Sequence, residues 1–202
     1  MQTLKPLDAV QVKGVYRGQH GSPDGAIIQT RLPSITFSCL AAAIEYAKSP
    51  NCRNDFVVAP RVVKADLRID RPLPLNGKDC FIEAPLVFAV MGREAGTALL
   101  IREEDQIYST GNWQEGFRKT FESVADLAEK APEKLDELYL NAYAVLDDPE
   151  FVATAKALGF DGAVHYGNGV TFAELEYRVF SEDQLSNLEV IDLDALLNAK
   201  AA

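Results

Sequence analysis

The chain has 202 residues, of which 48% are apolar, and a formal net charge of −10. That length and apolar content suit one large globular domain, or one domain with an insertion, and exclude wholesale disorder. The acidic balance and the lack of any Lys/Arg run argue against nucleic acid as a partner, because such binding rests on clustered cations.

No stretch reaches the ~18–20 consecutive apolar residues of a membrane helix, so no membrane partner is expected. The opening "MQTLKPLDAVQVKG" lacks the apolar core of a signal peptide, which leads to the expectation of a cytoplasmic chain. Three cysteines, Cys39, Cys52 and Cys80, show no metal-like spacing, and only His20 and His165 could join them. Free thiols and no metal site are the expectation.

In chain order, "VQVKGVYR" (10–17) predicts a first strand and "GQHGSPDG" (18–25) a loop. The short runs "AIIQT" (26–30) and "LPSITFS" (32–38) follow. "SCLAAAIEYAKSP" then predicts a helix, with Ser38 as N-cap and Pro50 as stop. "RVVKADLRID" (61–70) alternates: Val63, Ala65, Leu67 and Ile69 share one face, and Lys64, Asp66 and Arg68 the other, as in a half-buried strand. "CFIEAPLVFAVMG" and "GTALLIREE" read as two further strands joined across "REAG".

Residues 111–159 read as mostly helical, including "PEKLDELYLNAYAVL". "DDPEFVATAKALG" carries strong helix punctuation: Asp148 as N-cap, Pro149 at the first helical position, Gly159 past the end. Three strands close the pattern, "FDGAVHY", "AELEYRVF" and "LEVIDL", and then a short helix "DALLNAK". Strands at both ends and helices between them predict an α+β fold.

The segment "FAELEYRVF" (172–180) places Glu174 and Glu176 on the same face of a strand, with Phe172, Arg178 and Phe180. Periodicity alone fits a solvent-facing charged strip in which Arg178 pairs with Glu176. The other reading sets two carboxylates side by side in a cleft, one orienting a hydroxyl while its neighbour acts as a base. Arg17, at a strand end before a Gly-rich loop, is either an exposed edge arginine or a guanidinium fork for phosphate or carboxylate. Ser38 can cap its helix and also hold a polar ligand. His20 in "QHGS" is a lone loop histidine, and His165 in "GAVHY" fits a satisfied core position. No nucleophile elbow, dinucleotide fingerprint or P-loop occurs. Trp113 suits core packing or a lid contact.

Taken in order, "VYRG", "ITFSCLAAAIEYA" and "ELEY" resemble the arginine–serine–glutamate class of the ADP-ribosyltransferase fold. "LRIDRPLPL" and "LGFDGAVHYGNG" are similar to two accessory stretches of that family, and the matches cover the two outer thirds of the chain. The resemblance implies a split two-sheet core around an NAD cleft. It makes the chain a single domain over 1–202, with an insertion at about 77–149 that lies outside the family core.

It also implies roles. Arg17, with Gly18 and His20 beside it, would contact NAD. Ser38 would hold Glu176 or the nicotinamide ribose. Glu176 would accept a hydrogen bond from the ribose 2′-hydroxyl, and Glu174 would orient the acceptor. Tyr166 or Phe172 would help to select the target. The chain departs from the family's S-T-S pattern with "TFS", which leaves Thr36 as an alternative to Ser38, and "QHGS" resembles the histidine–tyrosine–glutamate class, which makes His20 a rival to Arg17. The implied activity is transfer of ADP-ribose from NAD to a protein arginine, as in a bacterial effector, a toxin or a phage protein that modifies its host. The alternatives are NAD hydrolysis and an inactive fold that serves as a binding module.

Overall fold

The alternation in residues 61–70 becomes the spine of the molecule. The computed structural model describes residues 4–20, 25–28, 30–48, 60–75, 79–168 and 174–201. In chain order the elements are β1 (Val10–His20), β2 (Ile35–Phe37), α1 (Leu40–Lys48), β3 (Pro60–Ile69), β4 (Phe81–Glu83), α2 (Ala84–Met91), α3 (Arg93–Arg102), α4 (Glu104–Tyr108) and α5 (Gly111–Glu115). There follow α6 (Val124–Lys130), β5 (Tyr139–Asn141), α7 (Ala142–Leu146), α8 (Pro149–Ala157), β6 (Gly162–Tyr166), β7 (Leu175–Val179), β8 (Leu185–Asp192) and α9 (Leu193–Ala201).

Among the described residues the strands form three small antiparallel sheets, ordered β1-β3-β8, β2-β7-β6 and β4-β5. With helices grouped between the strands, the architecture is α+β. The first two sheets face each other. Val15, Val63, Ala65, Leu67 and Ile69 of the first pack with Ile35, Phe37 and Val179 of the second. Each such side chain contributes about 1.5–3 kcal/mol on burial. The odd-numbered face of β3 is therefore the inter-sheet face, as its alternation predicts. Val62, on the opposite face, packs with Ala43, Ile44 and Ala47 of α1 and Leu193 of α9. The helices between 84 and 157 enclose a third, larger core, which includes Leu99, Leu100, Leu140 and Phe151 and runs on to Ala163 and Phe180 beside the second sheet.

Two features of β1 set up the site. A register shift between Val12 and Val15 leaves Gly14 at φ 67°, and its amide donates to Asp66 Oδ1 at 2.9 Å. Beyond this bulge, Val15, Arg17 and Gln19 point toward the second sheet, and Tyr16 and Gly18 toward α1. Gly18 is a close-approach glycine: a Cβ there would lie 1.9 Å from the Ala43 carbonyl oxygen. The strand continues through Gln19 and His20, so the expected loop begins later than "GQHG" suggests.

Several expectations are corrected. The two strands expected over 80–104 are the short strand β4 followed by α2 and α3. Pro85 sits in the first turn of α2, where its missing amide proton costs nothing. Ala84, Val87 and Val90 of α2 are buried in the helical core, and Leu86, Phe88 and Met91 pack partly against it. Gly92, at φ 84°, breaks the chain between the two helices. The single helix expected in "PEKLDELYLNAYAVL" is divided into a 3-10 turn (Pro132–Glu137), β5 and α7. By contrast, α8 begins and ends as its punctuation predicts: Asp148 accepts from the Phe151 amide, Pro149 is in the first turn, and Gly159 follows the end at φ 88°. Trp113 is core, against Tyr108 and Phe117.

Candidate functional site

The centre of the site is β7, which lies between β2 and β6. A middle strand has no free edge, and its even-numbered face is covered by α7 and the loop after it. Glu176 is therefore 0% exposed and Arg178 1% exposed, while Leu175 on the supposed core face is 38% exposed. The solvent-facing strip that periodicity allowed is overturned: the charged face of β7 is buried too, opposite the face that carries the buried Val179.

Burial of two charges demands partners. Arg178 Nη1 donates to Asp147 Oδ1 at 2.7 Å and to Ser34 Oγ at 3.0 Å, and its guanidinium stands 4.9 Å from the centre of the Tyr143 ring. The Tyr143 hydroxyl donates to Glu176 Oε1 at 2.5 Å. Glu176 Oε2 is 3.9 Å from Arg178 Nε and 3.8 Å from His165 Nε2. His165 Nδ1 lies 2.8 Å from the Tyr166 carbonyl, which can only accept, so Nδ1 carries the proton. Burial first, then the nearby Arg178, hold the His165 pKa below its ordinary value and favour the neutral ring. Its ring also meets Tyr143 edge-on, with centres 5.7 Å apart.

A cleft of about 470 Å³ opens over this cluster, within the size range of small-ligand sites. Arg17, Gly18 and His20 from β1, Thr36 and Ser38 from the β2 end, and Glu176 and Arg178 from β7 all line it, with Tyr143 and Asp147 from the helical segment. The half-buried Arg17 donates through Nε to Gln19 Oε1 at 3.0 Å and through Nη1 to the Thr36 carbonyl at 3.2 Å. Its pKa is lowered to about 10 by burial and by Arg178, with Asp147 opposing. It remains a cation at neutral pH. The cleft thus holds two guanidiniums against the carboxylates of Asp147 and Glu176, together with Glu103 on the helical side.

Ser38 is at the β1–β2 junction, where its backbone exchanges hydrogen bonds with Tyr16 at 2.8 and 2.9 Å. Its hydroxyl donates to the Leu175 carbonyl at 2.8 Å. The expected N-cap role is corrected: Cys39 precedes α1, and its Sγ faces the Ala42 amide at 3.5 Å. Ser38 ties two strands together, and the side chain that holds Glu176 is Tyr143. Glu174 is not brought beside Glu176. It is exposed, just ahead of β7, with its carbonyl accepting from the Gly167 amide at 2.8 Å, and it is absent from the cleft lining. Tyr166 also lies off the cleft, its amide donating to the Asp79 carbonyl at 3.2 Å. Phe172 falls outside the described residues. Both Arg17 and His20 line the cleft, so position does not choose between them.

Sequence reasoning missed Tyr143 and Asp147, which reach β7 across 33 and 31 residues. It also missed Gln19, 3% exposed, which donates to the Ile27 carbonyl at 2.6 Å. No short-range pattern announces such contacts. Among the described residues no group of three His, Cys, Asp or Glu could hold a metal ion, Cys39 and Cys80 are free thiols, and no helix is long and apolar enough to cross a membrane. No protein-family model, curated protein or solved structure matches the chain.

Proposed function

We propose that the chain is an NAD-dependent mono-ADP-ribosyltransferase with an ADP-ribosyltransferase-like core, acting on a protein arginine. The observation that carries the reading is the convergence of Arg17 and Glu176 in one cleft, with Ser38 tying the start of β7 to the β1–β2 junction. A cation at one side of the cleft and a desolvated carboxylate at its wall suit a ligand that joins phosphates to a ribose.

In the proposed reaction the bond between nicotinamide and ribose breaks, and its electron pair neutralises the pyridinium. The ribose carbon gains positive character, and the acceptor nitrogen or water attacks it and then loses a proton. Arg17 engages a phosphate of NAD. The Glu176 carboxylate accepts the ribose 2′-hydroxyl and stabilises the growing positive charge, an interaction stronger in the transition state than in the ground state. Glu176 has no solvent-accessible surface, so the cleft wall beside it must open locally as the ligand seats. The same fold in a bacterial effector, a toxin or a phage protein would find its target in a host cytoplasm.

A second reading, NAD hydrolysis, is favoured by the position of Glu174. The residue expected to orient the acceptor is exposed and off the cleft, which suits water as acceptor. Incubation with NAD labelled in its adenylate half, in the presence of a lysate, separates the two. A labelled protein band together with free nicotinamide supports transfer. Free nicotinamide with no labelled band supports hydrolysis. No NAD consumption overturns both.

A further inference from the structure

We propose that Tyr143 is the positioning residue for Glu176: its hydroxyl fixes the carboxylate in the orientation that meets the ribose. The inference rests on the functional reading above. The serine expected to hold Glu176 does not do so, because the Ser38 hydroxyl is committed to the Leu175 carbonyl at 2.8 Å. Tyr143 takes that place from the helical segment, at 2.5 Å from Oε1.

The phenol is itself fixed. The Tyr143 amide donates to Asn141 Oδ1 at 3.0 Å at the start of α7, and the hydroxyl also accepts from the Asn168 amide at 3.3 Å. One ring face lies under Arg178, and His165 meets the ring edge-on. A tyrosine locked on three sides points its only rotatable proton at one carboxylate oxygen. Each carboxylate oxygen has two acceptor sites, so Glu176 can keep the phenol and accept a ligand hydroxyl as well.

Hydrogen bonds from neutral donors to a buried carboxylate are charge-assisted and short, as this one is. The segment that supplies Tyr143 also supplies Asp147 to Arg178, so α7 and the turn after it orient both charged residues of β7. A site built in this way depends on α7 for its geometry.

The test is steady-state nicotinamide release by wild type, Tyr143→Phe, Glu176→Gln and the double variant. Tyr143→Phe keeps the ring and its contacts with Arg178 and His165, and a thermal melt checks that it folds. The expected result is a kcat about tenfold or more below wild type with KM for NAD changed by about threefold at most. In the Glu176→Gln background the second substitution should add no further loss, because Tyr143 acts through Glu176. An unchanged kcat in Tyr143→Phe, or a loss that adds in full to that of Glu176→Gln, overturns the positioning role and leaves the functional reading intact. A wild type that releases no nicotinamide, or whose release is indifferent to Glu176→Gln, overturns the functional reading and this inference with it.

Discussion

Arg178 Nη1 donates to Asp147 Oδ1 at 2.7 Å, and the arginine, 1% exposed, is the largest fully buried side chain among the described residues. This pair fastens the end of α7 to the middle strand of the second sheet. Removing one partner leaves the other charged and poorly solvated, which typically costs about 3–5 kcal/mol. Arg178→Met strands Asp147 and leaves Glu176 beside no cation on its own strand. The variant should lose about 3–5 kcal/mol in urea unfolding with the m-value unchanged. A loss below ~1 kcal/mol would show that the pair is not a structural fastening.

"ELEYRVF" made it readable that Glu176 and Arg178 share a face and pair. That the charged face is buried as well as the apolar one is not readable, because it depends on α7, more than thirty residues away, folding over it. "RVVKADLRID" was legible on both counts, since its apolar face is continuous and its polar face is half-exposed. Residues 80–104 mislead because an apolar run of this length suits a core-packed helix as well as a buried strand, and the cue that separates them is Pro85 in the first turn. Arg17, Ser38 and Glu176 stand in the order of the resemblance along the chain, and the fold brings all three to one cleft. Tyr143 and Asp147 could be found only from the fold.

Gly18 is required by the approach of α1. Gly18→Ala would set a methyl group 1.9 Å from the Ala43 carbonyl oxygen, which is backbone and cannot rotate away. The helix or strand must move, at a cost of about 1–3 kcal/mol. The measurement is the unfolding free energy. Since Gly18 also lines the cleft, NAD turnover should fall with it.

His165 makes stability depend on pH in a stated direction. Its pKa is lowered in the fold by burial and by Arg178, so the unfolded chain takes up a proton at higher pH than the folded one does. The contribution is fully present above the unfolded value of about 6.5 and is lost as pH falls through it toward the lower folded value. The thermal midpoint should therefore drop between about pH 7 and about pH 5. His165→Asn keeps a donor for the Tyr166 carbonyl and cannot titrate, so its drop over the same range should be smaller. Identical pH profiles for the two proteins would remove His165 from the account.

Glu174 is exposed and off the cleft, so its substitution should separate two activities. Glu174→Gln should leave nicotinamide release into water within about threefold of wild type, with any larger loss confined to label transfer onto protein. Equal loss of both activities would place Glu174 in the chemistry shared by them, against its position.

The central claim is that the Glu176 carboxylate acts on NAD in this cleft. It is tested most directly by the rate of nicotinamide release from NAD by wild type and by Glu176→Gln, a substitution that keeps the shape, removes the charge and turns one acceptor oxygen into a donor. Wild type should release nicotinamide measurably, and the variant at a rate at least about a hundredfold lower. Undiminished release by Glu176→Gln, or none by the wild type, would contradict it.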